Sequence, residues 1–266
     1  MPSHHGKLVD FHYLDVNPTG SPTILLIHGL GGDVETWGFQ ILALAAAGMR
    51  PLAVDLPGFG QTPMANGKWS LRSTTDQLAE WLDNKVPGPL VVAGHSLGGL
   101  IAQDLTFRFP EKVQKLILVS TFSRLRPKSI KTMAYLLGRG LAVLFQGTAV
   151  QAELVANHLF PDASQGEFRE KLIQKISAAD PRAYKSAMLN LAFFDSRKPL
   201  ARLQIPTLVI IGEKDGTVSP EAQQAMAAGI PNARAVLVPE AGHAVIVDQP
   251  EMVNREMLAF LRPTDG

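Results

Sequence analysis

Ser96 lies in the run Gly94-His95-Ser96-Leu97-Gly98, a Gly-x-Ser-x-Gly pattern with an apolar stretch, Leu90–Ala93, before it and a helical pattern, Leu97–Phe109, after it. Between a buried strand and a helix this pattern is a nucleophile elbow, a turn so tight that the positions flanking the serine must lack bulk. Glycine meets that demand because it has no Cβ. The serine is thereby carried past the carboxyl end of its strand, beside the free N–H groups that open the next helix. A serine hydroxyl is a weak nucleophile until a base takes its proton and a third group orients that base.

The chain has seven histidines. His4, His5 and His12 are near the N-terminus, and His158 falls inside a helical pattern. His28 and His95 directly precede glycines in tight turns, beside the serine rather than opposite it. His243 differs, because the turn Glu240-Ala241-Gly242-His243 follows the last strand-like run, Ala235–Val238. It is the candidate general base, and a histidine that merely caps a turn is the alternative. The orienting carboxylate is expected after another strand, between serine and histidine in chain order. Ile211-Gly212-Glu213-Lys214-Asp215-Gly216 supplies Asp215, with Glu213 and Asp195 as rivals. A plain turn-forming aspartate is the competing reading, because Asp-Gly pairs favour turns.

A developing oxyanion needs donors. The run Thr23–Ile27 leads into His28-Gly29-Leu30-Gly31-Gly32, whose glycines let backbone N–H groups curl toward the serine. The N–H groups of Leu30 and Leu97 are assigned to that hole, the second at the start of a helix whose dipole favours an anion. A phosphate cradle is the weaker reading, since no Lys-Ser or Lys-Thr follows the glycines.

These turns must sit on a common edge. Short apolar runs at Thr23–Ile27, Pro51–Val54, Leu90–Ala93, Leu116–Val119, Thr207–Ile211 and Ala235–Val238 read as strands covered on both faces. Helical patterns at Thr36–Ala47, Leu71–Lys85, Leu97–Phe109, Pro220–Gly229 and Pro250–Leu261 separate them, which predicts an α/β fold with a mostly parallel sheet. Leu8–Tyr13 is expected to add an antiparallel edge. The rhythm breaks between about 123 and 199, where Ser129–Phe145, Thr148–Phe160, Gln165–Ala179 and Pro181–Phe194 read as helices with no strand. An insertion there falls at the carboxyl edge of the sheet, where a lid would sit.

Composition narrows the partners. With 25 Lys and Arg against 24 Asp and Glu the net charge is +1, which gives no basic stripe for nucleic acid and none for an anionic membrane. There is no cysteine, which removes disulfides, thiolate metal sites and a cysteine nucleophile. Met1-Pro2-Ser3-His4-His5-Gly6 has no basic-then-apolar leader pattern, and no apolar run approaches the roughly 18 residues of a bilayer span. A cytoplasmic protein acting on a small molecule is the expectation.

Together the segments resemble the α/β-hydrolase superfamily. His28–Gly32 with Trp37 resembles its oxyanion segment and trailing tryptophan, and Asp55-Leu56-Pro57-Gly58-Phe59-Gly60 resembles its D-x-P-G-x-G turn. Gly94–Gly99, Gly212–Asp215 and Gly242-His243 resemble its elbow, acid turn and base turn, in the order Ser96, Asp215, His243. The resemblance implies a twisted eight-stranded sheet flanked by helices. It places a helical cap after the sixth strand, with 1–122 and 200–266 as core and 123–199 as cap. It also implies a carboxylesterase acting through an acyl-enzyme, without cofactor or metal.

Serine at the elbow disfavours the alkyl-enzyme chemistry of the haloalkane dehalogenases and epoxide hydrolases, which carry aspartate there. Enol-lactonases, C–C bond hydrolases of ring-fission products and a ligand-binding receptor on the same fold stay open. Trp37, Met133, Phe145, Met188, Phe193 and Val218 are the candidate pocket residues, although apolar residues at helical spacing also serve a cap's own core. A C–C hydrolase would need inward cations, for which Arg124, Arg126 and Arg139 are available.

Overall fold

The computed structural model describes residues 9–64, 69–125, 130–145 and 147–262. Its first strand, β1 (Tyr13–Asp15), is followed by β2 (Thr23–Ile27), α1 (Gly38–Ala46), β3 (Arg50–Val54), α2 (Leu71–Lys85), β4 (Leu90–His95), α3 (Leu97–Arg108) and β5 (Val113–Val119). Four longer helices follow in succession: α4 (Ile130–Phe145), α5 (Gly147–Leu159), α6 (Gly166–Ala178) and α7 (Pro181–Phe193). The short α8 (Arg197–Leu200) leads back to β6 (Thr207–Gly212), α9 (Pro220–Ala228), β7 (Ala233–Val238), α10 (Val245–Asp248) and α11 (Pro250–Leu261).

The strands form one seven-stranded sheet in the order β1-β3-β2-β4-β5-β6-β7. Only β1 runs antiparallel, with Tyr13 opposite Val54 and Asp15 opposite Leu52. The described residues therefore hold seven strands where eight were expected, and the insertion follows the fifth of them. The edge strand also begins later than Leu8–Tyr13 suggested. Phe11 is buried against Trp81 of α2 with ring centroids 5.5 Å apart, and His12 N–H donates to Thr62 Oγ1 at 2.9 Å, so this stretch packs on α2 and on the loop at Thr62 instead of extending a ladder.

Alternation splits the strand side chains between two cores. Leu25, Ile27, Val92, Leu116, Leu118, Val209 and Ile211 face α2 and α3, through Leu78, Leu82, Leu100, Ile101 and Leu105. Ile24, Leu26, Val91, Ala93, Ile117, Val119, Leu208 and Ile210 face α1 and α11, through Ile41, Leu44, Val253 and Met257. Burial of each such side chain contributes about 2 kcal/mol, so the middle strands stay rigid and their carboxyl ends make a firm platform. β7 departs from the expected two-sided burial: it is the sheet edge, and Leu237 is exposed. Among the described residues no helix is long and apolar enough to cross a membrane.

The four-helix insertion is fastened at its neck and over the glycine loops. Ser196 N–H donates to Ser123 O at 2.9 Å, which closes the neck where the chain leaves and re-enters the sheet region. Gly31, at φ +80°, and Gly58, at φ +84°, occupy backbone that favours glycine. A Cβ on Gly31 would stand 2.4 Å from Ile176 Cγ1, and one on Gly58 would stand 2.3 Å from Ala183 Cβ. α6 and α7 thus press directly on the two loops. Lys175 of α6 also pairs with Asp33 and, at 2.8 Å, with Glu35.

Candidate active site

β4 delivers Ser96 to the carboxyl edge of the sheet in a strained conformation, with φ 51° and ψ −113°. Non-glycine residues rarely hold such a backbone, and surrounding contacts must over-determine it. Those contacts are present. Ser96 N–H donates to Val119 O at 2.9 Å, and Thr121 Oγ1 donates to Ser96 O at 2.8 Å. The flanking glycines are obligatory for another reason, because a Cβ on Gly94 would stand 2.3 Å from Gly98 O and one on Gly98 would stand 2.2 Å from Ile27 O. The turn is as tight as the sequence pattern requires.

The structure brings the three separated candidates together. Ser96 Oγ is 3.0 Å from His243 Nε2, and His243 Nδ1 is 2.9 Å from Asp215 Oδ2. Asp215 is itself held: its Oδ1 accepts the N–H groups of Thr217 at 2.9 Å and Val218 at 2.8 Å, and its Oδ2 also accepts Gln223 Nε2 at 2.9 Å. A carboxylate at this site accepts the Nδ1–H hydrogen bond of His243, keeps the proton on Nδ1, and leaves Nε2 free to accept from the serine. The rivals lie elsewhere. Glu213 accepts the Glu240 N–H at 3.1 Å, and Asp195 pairs with Arg197 at 2.7 Å at the neck of the insertion.

Gln223 was not anticipated, although a fully buried glutamine beside Met226 and Ala227 on α9 is a legible polar interruption. His95 and His28 were placed only as turn residues, and both bind backbone around the site. His95 Nε2 lies 2.9 Å from His243 O and so ties the elbow to the base turn. Leu56 N–H donates to His28 Nε2 at 2.9 Å, while His28 Nδ1 lies 2.7 Å from Gly29 O. The acceptor role of Nε2 requires a neutral ring with its proton on Nδ1, and burial does hold this ring below its ordinary pKa. That ring therefore joins the Gly29 loop to the Asp55 turn.

Burial, with repulsion from His243 as the next cause, holds His95 at a pKa of about 4 against an ordinary 6.5. The unfolded chain accepts a proton on this ring near pH 6.5, and the folded chain refuses it until about pH 4, so stability falls as pH drops through that window. From pH 7 to pH 5 the loss assigned to this ring is about 2 kcal/mol. Urea unfolding at the two pH values measures it. His95→Gln is expected to remove that share of the slope, and an unchanged slope would contradict the assignment.

Leu30 and Leu97, the expected oxyanion donors, both lie beside Ser96, the first in the wall of the cavity that Ser96 lines and the second as its chain neighbour. The Gly29 backbone abuts the serine closely enough that a Cβ there would lie 3.3 Å from Ser96 Cβ. Leu97 opens α3, where the first N–H groups lack helical partners. Among the described residues neither N–H donates elsewhere.

A cavity of about 560 Å³ opens over Ser96 and His243, with Leu30, Phe122, Leu125, Val155, Leu159 and Val218 among its apolar walls. Of the six expected pocket residues, Val218 lines it. Trp37 is fully buried in the core layer beneath, with Ile24 and Leu26. Met133 and Phe193 face solvent, the second 84% exposed. Met188 packs within the insertion, and the Phe145 side chain falls outside the described set. Among the arginines, Arg124 is exposed near Asp195, Arg126 lies outside the described residues, and Arg139 lines the cavity.

Known proteins carry the same arrangement of segments. A family model described as the alpha/beta hydrolase family matches residues 24–256. The acetyltransferase component of an acetoin-cleaving system in Pseudomonas putida is 29% identical over 262 residues, covering 97% of this chain and 67% of that protein. A Variovorax paradoxus protein provisionally named a carbamate hydrolase is 28% identical over 257 residues, covering 94% of this chain and 95% of its own. Among solved structures, a thermophilic esterase from Thermogutta terrifontis, determined with malate bound, superposes with a TM-score of 0.80 at 30% identity, over 96% of this chain and 93% of that one.

Proposed function

We propose that this chain, which belongs to the alpha/beta hydrolase family, is a serine hydrolase that cleaves carboxylic esters through an acyl-enzyme. The observation that carries the reading is the continuous relay from Ser96 Oγ through His243 to Asp215, at 3.0 and 2.9 Å. Residues 123–199 act as a cap over a core made of 1–122 and 200–266, and the cavity between them holds the substrate.

In this reading Ser96 Oγ attacks the ester carbonyl carbon and its proton passes to His243 Nε2. The carbonyl oxygen becomes an oxyanion held by the Leu30 and Leu97 N–H groups. Collapse breaks the bond to the alcohol oxygen, which leaves with the proton from His243. Water then attacks the acyl carbon as His243 takes one of its protons. The second tetrahedral species expels Ser96 Oγ, which regains that proton, and the carboxylic acid departs. Asp215 keeps the imidazole in the useful tautomer and steadies the imidazolium that forms in each half.

The apolar walls support an acyl group of small to medium length. Each methylene that the cavity buries fully is worth about 0.8 kcal/mol, close to a fourfold gain in binding. A series of 4-nitrophenyl esters from acetate to decanoate is therefore expected to show kcat/KM rising about tenfold or more to a medium-chain maximum. An activity flat across the series contradicts a defined apolar pocket, and absence of hydrolysis of every member contradicts the esterase reading.

A further inference from the structure

Arg139, on α4, takes no part in the hydrolysis described above, yet it is buried and lines the same cavity as Ser96 and His243. A guanidinium stays charged throughout the range in which proteins fold, and a buried charge is expensive unless an opposite charge meets it. Every partner it has among the described residues is neutral. Arg139 Nη2 donates to the Tyr184 hydroxyl at 3.2 Å. With its carboxamide oxygen turned toward the arginine, Gln151 accepts from Nε at 2.6 Å and from Nη2 at 3.1 Å. The Tyr135 ring lies alongside, its centroid 5.6 Å from Cζ, and among the described residues the buried Tyr135 hydroxyl makes no hydrogen bond of normal length and angle.

No Asp or Glu among the described residues forms an ion pair with Arg139, whereas Arg50, Arg108, Arg182, Arg197 and Arg234 each have one. Arg139 and His243 also act on a common neighbour, His158. Burial first, and then repulsion from both His243 and Arg139, holds His158 below its ordinary pKa. An apolar cavity with one buried, uncompensated cation in its wall suits a ligand that is apolar along its length and anionic at one point.

We propose that Arg139 receives a carboxylate of the substrate, so that the preferred ester carries an anionic group remote from the scissile carbonyl. As a statement about substrate the proposal rests on the hydrolase reading, and as a statement about binding it does not. The anion supplies the missing counter-charge through charge-assisted hydrogen bonds, and the relay at Ser96 acts on the other end of the molecule.

The test has two arms. In the first, kcat/KM of the wild-type enzyme, Arg139→Gln and Arg139→Lys is compared on the mono-4-nitrophenyl esters of adipate and suberate against neutral 4-nitrophenyl hexanoate and octanoate. A parallel pair, 4-carboxyphenyl butyrate and phenyl butyrate, places the anion on the leaving group. The wild type is expected to prefer the anionic member of at least one series by about tenfold, and Arg139→Gln to lose about 30-fold on that member while changing less than about threefold on its neutral counterpart. Arg139→Lys is expected to recover part of the preference. A loss shared equally by anionic and neutral esters, or a wild-type preference for the neutral ester in both series, overturns the proposal and leaves Arg139 as a brace joining α4 to α5 and α7.

In the second arm, calorimetry measures binding of adipate and suberate themselves. Saturable binding that weakens with salt and is lost in Arg139→Gln is expected; binding indifferent to the substitution, or none, overturns the proposal. Dicarboxylate binding that depends on Arg139 in a protein that cleaves no ester would sink the hydrolase reading and leave this one standing. Ester cleavage without such binding would do the reverse.

Discussion

Ser96→Ala is expected to lower kcat/KM on the best 4-nitrophenyl ester by about 10⁴-fold or more, with little change in Tm. The size follows from the chemistry, because alanine offers no atom to bond the acyl group, and what is left is water attacking a carbonyl polarised by the Leu30 and Leu97 N–H groups. The small effect on stability follows from the elbow. The strained backbone at φ 51° is held by the Val119 and Thr121 hydrogen bonds, which involve the main chain of residue 96 and survive loss of its hydroxyl. Kinetics with protein purified free of host esterases, beside a thermal melt, separate the two quantities. A variant that keeps more than about a tenth of the activity is incompatible with Ser96 as nucleophile.

Asp215→Asn is expected to cost about 10³- to 10⁴-fold in kcat while the fold and the cavity persist. The two backbone N–H groups of Thr217 and Val218 decide how the new amide lies, since both point at Oδ1 and only an oxygen can accept them. The amide NH₂ must then take the place of Oδ2, where it meets His243 Nδ1. The imidazole answers by placing its own proton on Nε2, the nitrogen 3.0 Å from Ser96 Oγ, and it can no longer accept the serine proton. Gln223 Nε2 would also lose its acceptor at that position, which adds a modest loss of stability. A kcat within tenfold of wild type would mean that Asp215 does not set the tautomer.

The strands and the motifs at their ends were legible because the middle strands are short and buried on both faces. Thr23–Ile27 keeps its sequence-predicted bounds, and Leu90, Leu116 and Thr207 all lie in the strands assigned to them. The meeting of Ser96, Asp215 and His243 was legible for a related reason, since residues just past the ends of parallel strands share one edge. The inward face of the insertion was not. On α4, Ile130, Met133, Leu137 and Leu141 are exposed while Tyr135 and Arg139, four residues apart, are turned inward. That reverses the pattern from which a buried helical face is read. Two further features depend on contacts that spacing does not encode. His95 binds a backbone carbonyl 148 residues away, and Phe11 and His12 find partners on α2 and in the loop at Thr62, outside the expected strand.

The central claim is that Ser96 forms the covalent bond to the acyl group, and active-site labelling tests it most directly. A fluorophosphonate, which reacts with an activated serine in place of an ester, is incubated with the protein, and the modified peptide is mapped by mass spectrometry. One adduct per chain on Ser96, absent from Ser96→Ala and strongly slowed in Asp215→Asn, is the predicted result. Labelling at another serine with equal speed, or intact protein mass after prolonged exposure of catalytically active enzyme, would contradict it.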